Sequence, residues 1–294
     1  MSPNLAGALL MMASMACFTL NDTLIKATGG ALPLFQLLFL RGILATGFIL
    51  WLARARGALR FDIAPRDWGL IALRSLSEVG AAFFFVSALL NMPLANITAI
   101  LQVLPLTVTL GSALFFREAV GWKRMSAILI GFVGMLLIVR PGPEGFTLWS
   151  AYALLAVICV TSRDLATRRL SRGVPSLMVT LSASMAVLVF SGVASLGITW
   201  APMTGTLAGL IFGAAVFVVG GYFFSVQVMR SGDVSFIAPF RYTGLIWALL
   251  LGWLVFGHWP APLTLLGAGI IVATGLFTLY RERAMFRRPV VLPR

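Results

Sequence analysis

The sequence predicts an all-α polytopic membrane protein with ten transmembrane helices. Of its 294 residues, 60% are hydrophobic and only 11% are charged, whereas roughly a quarter of the residues are charged in a soluble domain. The apolar residues also form runs of about 18 residues or more, which is the length of a helix that spans a bilayer. Because the bilayer interior offers no water to loose backbone groups, these runs are expected to be helices.

The apolar runs follow one another with short connections, so consecutive helices are expected to be antiparallel neighbours. Pro33, Pro93, Pro175 and Pro262 open four of the runs, and proline is tolerated in the first turn of a helix. The predicted spans cover residues 4–28, 33–53, 67–91, 93–116, 121–140, 148–168, 175–198, 205–229, 233–256 and 262–281.

The Lys and Arg residues of the loops are divided unequally between the two sides of the predicted bundle. The side that holds both termini receives nearly all of them, including Arg54, Arg66 and Lys123, while the other side receives only Lys26 and Arg140. Cytoplasmic loops carry the excess of basic residues, so both termini are predicted to be cytoplasmic. The net charge of +13 has the same origin, and no nucleic-acid partner is expected.

Two stretches with the same spacing of Cys, Asp and a basic residue predict an internal repeat. CFTLNDTLIK begins at Cys17 and CVTSRDLATR at Cys159, and each has an Asp five residues after the Cys and a basic residue four after the Asp. In both stretches a proline follows seven residues later. The pair Phe83-Phe84 also returns as Phe223-Phe224, and Phe116 as Phe256.

The repeat divides the chain into two five-helix halves. We predict a first repeat over residues 1–142, a second over 143–284 and a basic cytoplasmic tail over 285–294. Because five is odd, the second half enters the membrane from the opposite side. Inverted repeats of this kind enclose a site near the midplane and expose it to each side in turn.

At this point the sequence resembles the drug/metabolite transporter superfamily, and within it the ten-span EamA-type exporters. The resemblance is carried by the two repeated stretches that begin at Cys17 and Cys159, by FFFVSALLNMPLANITAILQVLPL, and by Glu118 in FFREAVGWKRMSAILIGFVGMLLI. The second repeat has His258 where the family usually repeats this Glu. The resemblance implies export of small metabolites across a bacterial inner membrane, and the chain is most similar to exporters of aromatic and other neutral amino acids.

Ionisable side chains inside spans are costly and are candidates for function. Glu78 lies roughly 16 Å into the third span and Arg241 roughly 12 Å into the ninth, near the middle of a core about 30 Å thick. We predict that Glu78 binds the ammonium group and Arg241 the carboxylate of a zwitterion. The alternative is that Glu78 pairs with Arg74, one helical turn away, and Arg241 with a carbonyl.

Polar and aromatic neighbours complete the predicted site. Gln102 lies on a polar stripe of the fourth span, where Pro105 is expected to bend the helix. The further substrate-binding candidates are Phe83, Tyr222, Tyr242 and Trp247. The residues predicted to act in gating or structure are Asp22, Arg41, Arg74, Arg163 and Asp164.

No enzyme is predicted, because the chain has a single histidine and neither a G-x-S-x-G, an H-E-x-x-H nor a P-loop motif. No cofactor and no metal site are expected either, and the partners are the lipid bilayer and a small-molecule substrate. We expect a monomer that exports amino acids by alternating access. The alternatives are cationic drugs, nucleotide sugars or phosphorylated metabolites as cargo, and a passive channel.

Overall fold

A computed structural model describes residues 3–59, 62–117, 121–139, 147–171, 173–228 and 237–286 of the chain. Within those ranges the protein is helical and contains no β-strand, which confirms the predicted all-α class at that level. Glu118, which carries part of the family resemblance, and residues 287–294 of the predicted tail lie outside the described residues.

The helices follow the predicted spans closely, because each begins and ends where the apolar run does. A 3-10 helix over Ala238–Tyr242 precedes the α-helix that begins at Thr243. The α-helices are α1 Pro3–Ala27, α2 Leu34–Ala55, α3 Pro65–Asn91, α4 Leu94–Leu101, α5 Leu104–Phe116, α6 Trp122–Val139, α7 Leu148–Arg169, α8 Ser176–Ser195, α9 Gly205–Val228, α10 Thr243–Phe256 and α11 Pro262–Phe286.

Eight helical segments in the described part of the chain are long and apolar enough to cross a membrane. Two shorter apolar helices, Met125–Val139 and Pro262–Thr278, occupy the positions of the fifth and tenth predicted spans. The count of ten spans stays a prediction for these two. Pro33, Pro93 and Pro175 cap α2, α4 and α8 as expected.

The fourth predicted span is broken between α4 and α5. At the break, the amide of Gln102 is shared between two carbonyls of the preceding turn, and the amide of Val103 bonds to Ile100 three residues back. Pro105 follows directly and has no amide to donate, so the regular helical hydrogen bonding cannot continue through it. At Pro105, where a bend was predicted, the structure thus shows a break in the helical hydrogen bonding.

The most extensive packing joins helices of the N-terminal part, α1 to α6, to helices of the C-terminal part, α7 to α11. Thus α1 packs on α9, α3 on α7, α2 on α8 and α6 on α11. The duplicated cysteines make matching contacts: a Cβ on Gly80 would lie 2.9 Å from the Cys159 sulfur, and one on Gly220 would lie 3.4 Å from the Cys17 sulfur. Exchanging the two parts leaves this pattern unchanged.

The basic residues at the ends of α1 and α7 also occupy matching places. Lys26 lies 5.7 Å from the centre of the Phe256 ring, and its ammonium group donates to two carbonyls near the end of α3 at 2.9 and 2.7 Å. Arg169 lies 4.0 Å from the centre of the Phe116 ring. A cation over an aromatic face is attracted by the ring quadrupole, so the ends of α10 and α5 are fixed in the same way.

Candidate functional site

A cleft lies between α2, α3, α8 and α9, at about half the length of these helices. It holds about 580 Å³ of space, part of which is open to the outside. Glu78, which lines the cleft, is the central residue of the 27-residue α3.

Most residues that line the cleft come in pairs from matching positions of the two parts of the chain. The separation is 142 residues between α2 and α8 and 140 between α3 and α9, the same separations that relate Cys17 to Cys159 and Gly80 to Gly220. The pairs are Leu38 with Thr180, Arg41 with Ala183, Gly42 with Ser184, Ala45 with Val187, Glu78 with Val218, and Ala82 with Tyr222.

These pairs match in position and differ in chemistry. Arg41, Glu78 and Tyr222 each stand opposite an alanine or a valine in the matching position. The backbone frame of the cleft is therefore repeated, while its charge and its aromatic ring are not. A solute bound there meets different groups at its two ends and has one preferred orientation.

Glu78 forms an ion pair with Arg163 of α7. The Arg163 Nη1 atom lies 3.4 Å from Glu78 Oε2, while its Nε and Nη2 atoms both lie 2.8 Å from Asp164 Oδ1. The three side chains are largely covered, with 20% of Glu78, 23% of Arg163 and 28% of Asp164 exposed. The partner of Glu78 is thus Arg163, and the predicted pairing with Arg74 is wrong.

Arg74 instead forms hydrogen bonds that link α3 to two other helices. Its Nε donates to the Thr167 hydroxyl of α7 at 3.0 Å, and its Nη1 donates to the Val179 carbonyl of α8 at 3.2 Å. The predicted structural role of Arg74 has this physical basis, because both bonds link α3 to the C-terminal part of the chain. The guanidinium also lines the cleft.

Arg41 and Asp22 are connected through Asn21. Arg41 Nη1 donates to Asn21 Oδ1 at 3.3 Å, and Asn21 Nδ2 donates to Asp22 Oδ1 at 2.8 Å. Arg41 forms no ion pair with a carboxylate in the described part of the chain. The sequence offered Asp22 and Arg41 as separate candidates, and the buried amide of Asn21 joins them.

Aromatic packing covers the cleft at one end, which we call the Gln36 end. Phe35 lies against Phe190 and Phe83, with ring centres 5.8 and 6.0 Å apart. The buried amide of Gln36 makes two hydrogen bonds to the backbone of Ala201, at 3.0 and 2.9 Å. The predicted substrate residue Phe83 therefore belongs to this cover, directly beyond the lining residues of α3.

The sequence profile of the EamA-like transporter family matches residues 5–140 and matches again over residues 147–280. The chain belongs to this family. Its two matched segments correspond to the two parts that pack against each other. One solved crystal structure shares the fold of this EamA-like transporter, with a TM-score of 0.65 and 20% identity over 95% of this chain and 98% of that chain.

Several transporters of known name are similar to this EamA-like transporter. It is 31% identical over 232 residues to the riboflavin transporter of Vibrio cholerae serotype O1, covering 78% of each chain. It is 25% identical over 286 residues to the pseudopaline exporter of Pseudomonas aeruginosa, covering 95% of this chain and 97% of the relative. It is 25% identical over 279 residues to the S-adenosylmethionine uptake transporter of Rickettsia felis, covering 94% and 92%.

The EamA-like transporter is therefore a multi-pass membrane protein that transports a small molecule and is not an enzyme. Its relatives are bacterial, and their membership of a helical transporter family agrees with the predicted inner-membrane location. None of the named relatives above is an amino acid transporter, so amino acids as the specific cargo are not supported by these similarities.

Arg241 does not line the cleft of the EamA-like transporter. It lies exposed on the 3-10 helix that precedes α10. The predicted arrangement, with Glu78 and Arg241 at opposite ends of one solute, does not occur within this cleft. Local unwinding of the ninth span changes the direction in which its side chains point, which helical periodicity alone could not foresee.

Replacing Arg241 with alanine is expected to leave the apparent affinity for the transported solute unchanged, because the side chain lies outside the cleft. The measurement is the solute concentration that half-saturates counterflow in proteoliposomes. Glu78→Gln serves as the comparison, since it alters a lining residue and should change that concentration. A tenfold weaker affinity for Arg241→Ala would contradict this prediction and indicate that Arg241 contacts the solute.

Gln102, Tyr242 and Trp247 lie in a second region, away from the cleft lining. The Gln102 amide lies 3.7 Å from the place that a Cβ on Gly244 of α10 would take. The Tyr242 hydroxyl and the Trp247 indole nitrogen are both buried without a hydrogen-bond partner. A Cβ on Gly275 would meet the Tyr242 hydroxyl, so Tyr242 packs closely against α11.

Polar residues of α8 are the part of the cleft that the sequence candidates missed. Thr180 and Ser184 both line it, and the Ser184 hydroxyl is 2.6 Å from that of Thr46 on α2. Neither residue is charged, so the search for ionisable groups passed over them. The repeat separation of 142 relates them to Leu38 and Gly42, which also line the cleft and were not sequence candidates.

Proposed function

We propose that this EamA-like transporter moves small polar metabolites that contain a ring through the cleft by alternating access. In this proposal the ten-span, two-repeat prediction is kept, with repeats over 1–142 and 143–284 and both termini in the cytoplasm. One observation carries the proposal: the cleft is lined by residues from matching positions of the two parts, at half the length of four helices. A frame of this kind can open at either end by the same movement.

The covered Gln36 end supports a direction for the resting state. By the count of basic residues in the loops, this end faces away from the cytoplasm. The aromatic contacts and the two Gln36 hydrogen bonds then close the outer side. We infer a resting state that receives its solute from the cytoplasm, as an exporter does.

The cargo class is proposed from the lining chemistry and from the relatives. Guanidinium, carboxylate and phenol groups meet in the cleft, and together they suit a polar solute with a ring. Relatives named for riboflavin and S-adenosylmethionine transport extend the class to solutes larger than amino acids. Aromatic amino acids remain a second candidate, because a carboxylate and a guanidinium on one cleft also suit a zwitterion.

Counterflow in proteoliposomes tests the function. Vesicles are preloaded with unlabelled riboflavin, S-adenosylmethionine, phenylalanine or tryptophan, and entry of the same labelled solute is followed. We expect preloading to accelerate the entry of at least one solute of this panel, as a carrier requires. Entry without acceleration would indicate a channel, and no protein-dependent entry of any of the four would reject the proposed cargo class.

Direction is tested separately, because the relatives include both an exporter and an uptake transporter. Accumulation is measured in right-side-out and inside-out membrane vesicles from the same cells. Export predicts that the inside-out vesicles accumulate the solute. Accumulation confined to right-side-out vesicles would contradict an export role and leave the transport activity itself intact.

A further inference from the structure

We propose that Arg41 is the anion-binding residue of the cleft, and that the transported solute carries an anionic oxygen group, either a carboxylate or a phosphate. The inference rests on the proposed function of the cleft and deepens it by naming the chemistry of one end of the solute. It starts from the three guanidinium groups near Glu78, which differ in how many of their donors are already engaged.

Arg163 and Arg74 are both engaged with neighbouring protein groups through two or more nitrogens. Arg163 bonds to Asp164 through two nitrogens and lies next to Glu78 with the third. Arg74 donates from two nitrogens to a hydroxyl on α7 and a carbonyl on α8. Both guanidiniums therefore link helices, and each has more of its donors engaged with protein than Arg41 has.

Arg41 is the least engaged of the three. A guanidinium has five N–H donors. Within the described part of the chain, Arg41 makes a single hydrogen bond, from Nη1 to the neutral Asn21 amide oxygen at 3.3 Å. Asn21 in turn donates to Asp22 at 2.8 Å. The amide of Asn21 therefore connects Arg41 to the Asp22 carboxylate. The remaining donors of Arg41 belong to a side chain that lines the cleft.

Among the described residues, the half-buried guanidinium of Arg41 forms no ion pair with a carboxylate, which favours the binding of an anion. Charged groups in a low-dielectric setting are stabilised by an opposite charge that also satisfies their donors. The planar fork of arginine matches the two oxygens of a carboxylate or a phosphate, which allows two parallel hydrogen bonds. The cleft thus presents one open binding group for an anion.

The surroundings of Arg41 leave space for that anion and set its orientation. Ala183, which matches Arg41 in the repeat, lines the same cleft from α8 with a small side chain. Glu78 lines the same cleft and repels an anion, which directs the anionic end of the solute away from it. Tyr222 of α9, 37% exposed, offers its ring as a wall for an apolar or aromatic part.

Two matched pairs of ligands test the inference by thermal stabilisation of the purified, detergent-solubilised protein. The phosphate pair is flavin mononucleotide against riboflavin, and the carboxylate pair is phenylalanine against phenethylamine. A ligand that binds the folded state raises the melting temperature, and at equal concentration the tighter ligand raises it more. We expect the anionic member of at least one pair to stabilise the wild-type protein more, and the pair that responds identifies the anion.

Arg41→Ala is expected to remove this preference, with about a 10- to 100-fold loss of affinity for the anionic member. Arg54→Ala is the matched control, because it removes the same charge from the exposed end of the same helix, and it should keep the preference. Arg41→Lys keeps the charge without the two parallel hydrogen bonds and should keep part of it. This variant carries the test if Arg41→Ala does not fold.

Two results would overturn the inference: no preference for the anionic member of either pair in the wild-type protein, or an equal loss of preference in Arg54→Ala. These results are separable from a failure of the proposed function. Counterflow without any anion preference contradicts the role of Arg41 alone. An anion preference that depends on Arg41, without counterflow of any solute, contradicts the transport proposal alone.

Discussion

Replacing Arg163 with methionine is expected to lower the stability of the folded protein by about 2 kcal/mol. The substitution keeps a side chain of similar length and leaves Glu78 and Asp164 without their shared cation. An uncompensated charge costs more when it is covered, and these carboxylates are only 20% and 28% exposed. The measurement is the apparent melting temperature of the purified protein in detergent.

The matched control is the double substitution Arg163→Met with Glu78→Gln. It removes one of the two unpaired carboxylates, so part of the lost stability should return. Arg54→Met removes a cation from the exposed end of α2 and should leave the melting temperature within about a degree. A loss of stability in Arg54→Met as large as that in Arg163→Met would mean that general charge, rather than this ion pair, is responsible.

Replacing Gly267 with alanine is expected to destabilise the contact between α6 and α11 by about 1–3 kcal/mol. A Cβ on Gly267 would meet the backbone carbonyl oxygen of Gly134, and one on Gly134 would lie 2.8 Å from the carbonyl oxygen of Gly267. Backbone cannot turn aside as a flexible side chain can, so the helices must separate. Small residues that allow close approach are typical of helix contacts in membranes.

Gly269 provides the matched control, two residues further along the same helix. A Cβ there would meet nothing within 4 Å, so Gly269→Ala should keep the stability or raise it slightly through better helix propensity. Melting temperatures of the two variants are compared in the same detergent. Equal losses in both would show that the close approach at Gly134 is not what makes Gly267 sensitive to substitution.

The helices were predictable because hydropathy and proline positions act locally. An apolar run of sufficient length has to form a helix in lipid, and Pro33 or Pro175 begins one without losing a hydrogen bond. The break before Pro105 follows from the same chemistry. The unwinding over Ala238–Tyr242 was not predicted, although Pro239 stands inside it.

The candidate site was predicted in part. Glu78 and Tyr222 line the cleft as substrate candidates should, and Arg41 and Arg74 line it with them. The cation expected opposite Glu78 was Arg241, which lies exposed elsewhere. Depth along a span can be counted from its ends, whereas the direction of a side chain around the helix depends on which helices pack beside it.

By itself, the sequence determined that this chain is a helical membrane protein, where most of its helices begin and end, and that a motif returns after 142 residues. Each of these follows from local physics or from direct comparison of residues. Only the tertiary structure decided that Arg163 pairs with Glu78, that Asn21 stands between Arg41 and Asp22, and that Gly134 meets Gly267. Such contacts join residues that are far apart in the chain or on different helix faces, and their partners are fixed by the rotation and packing of whole helices.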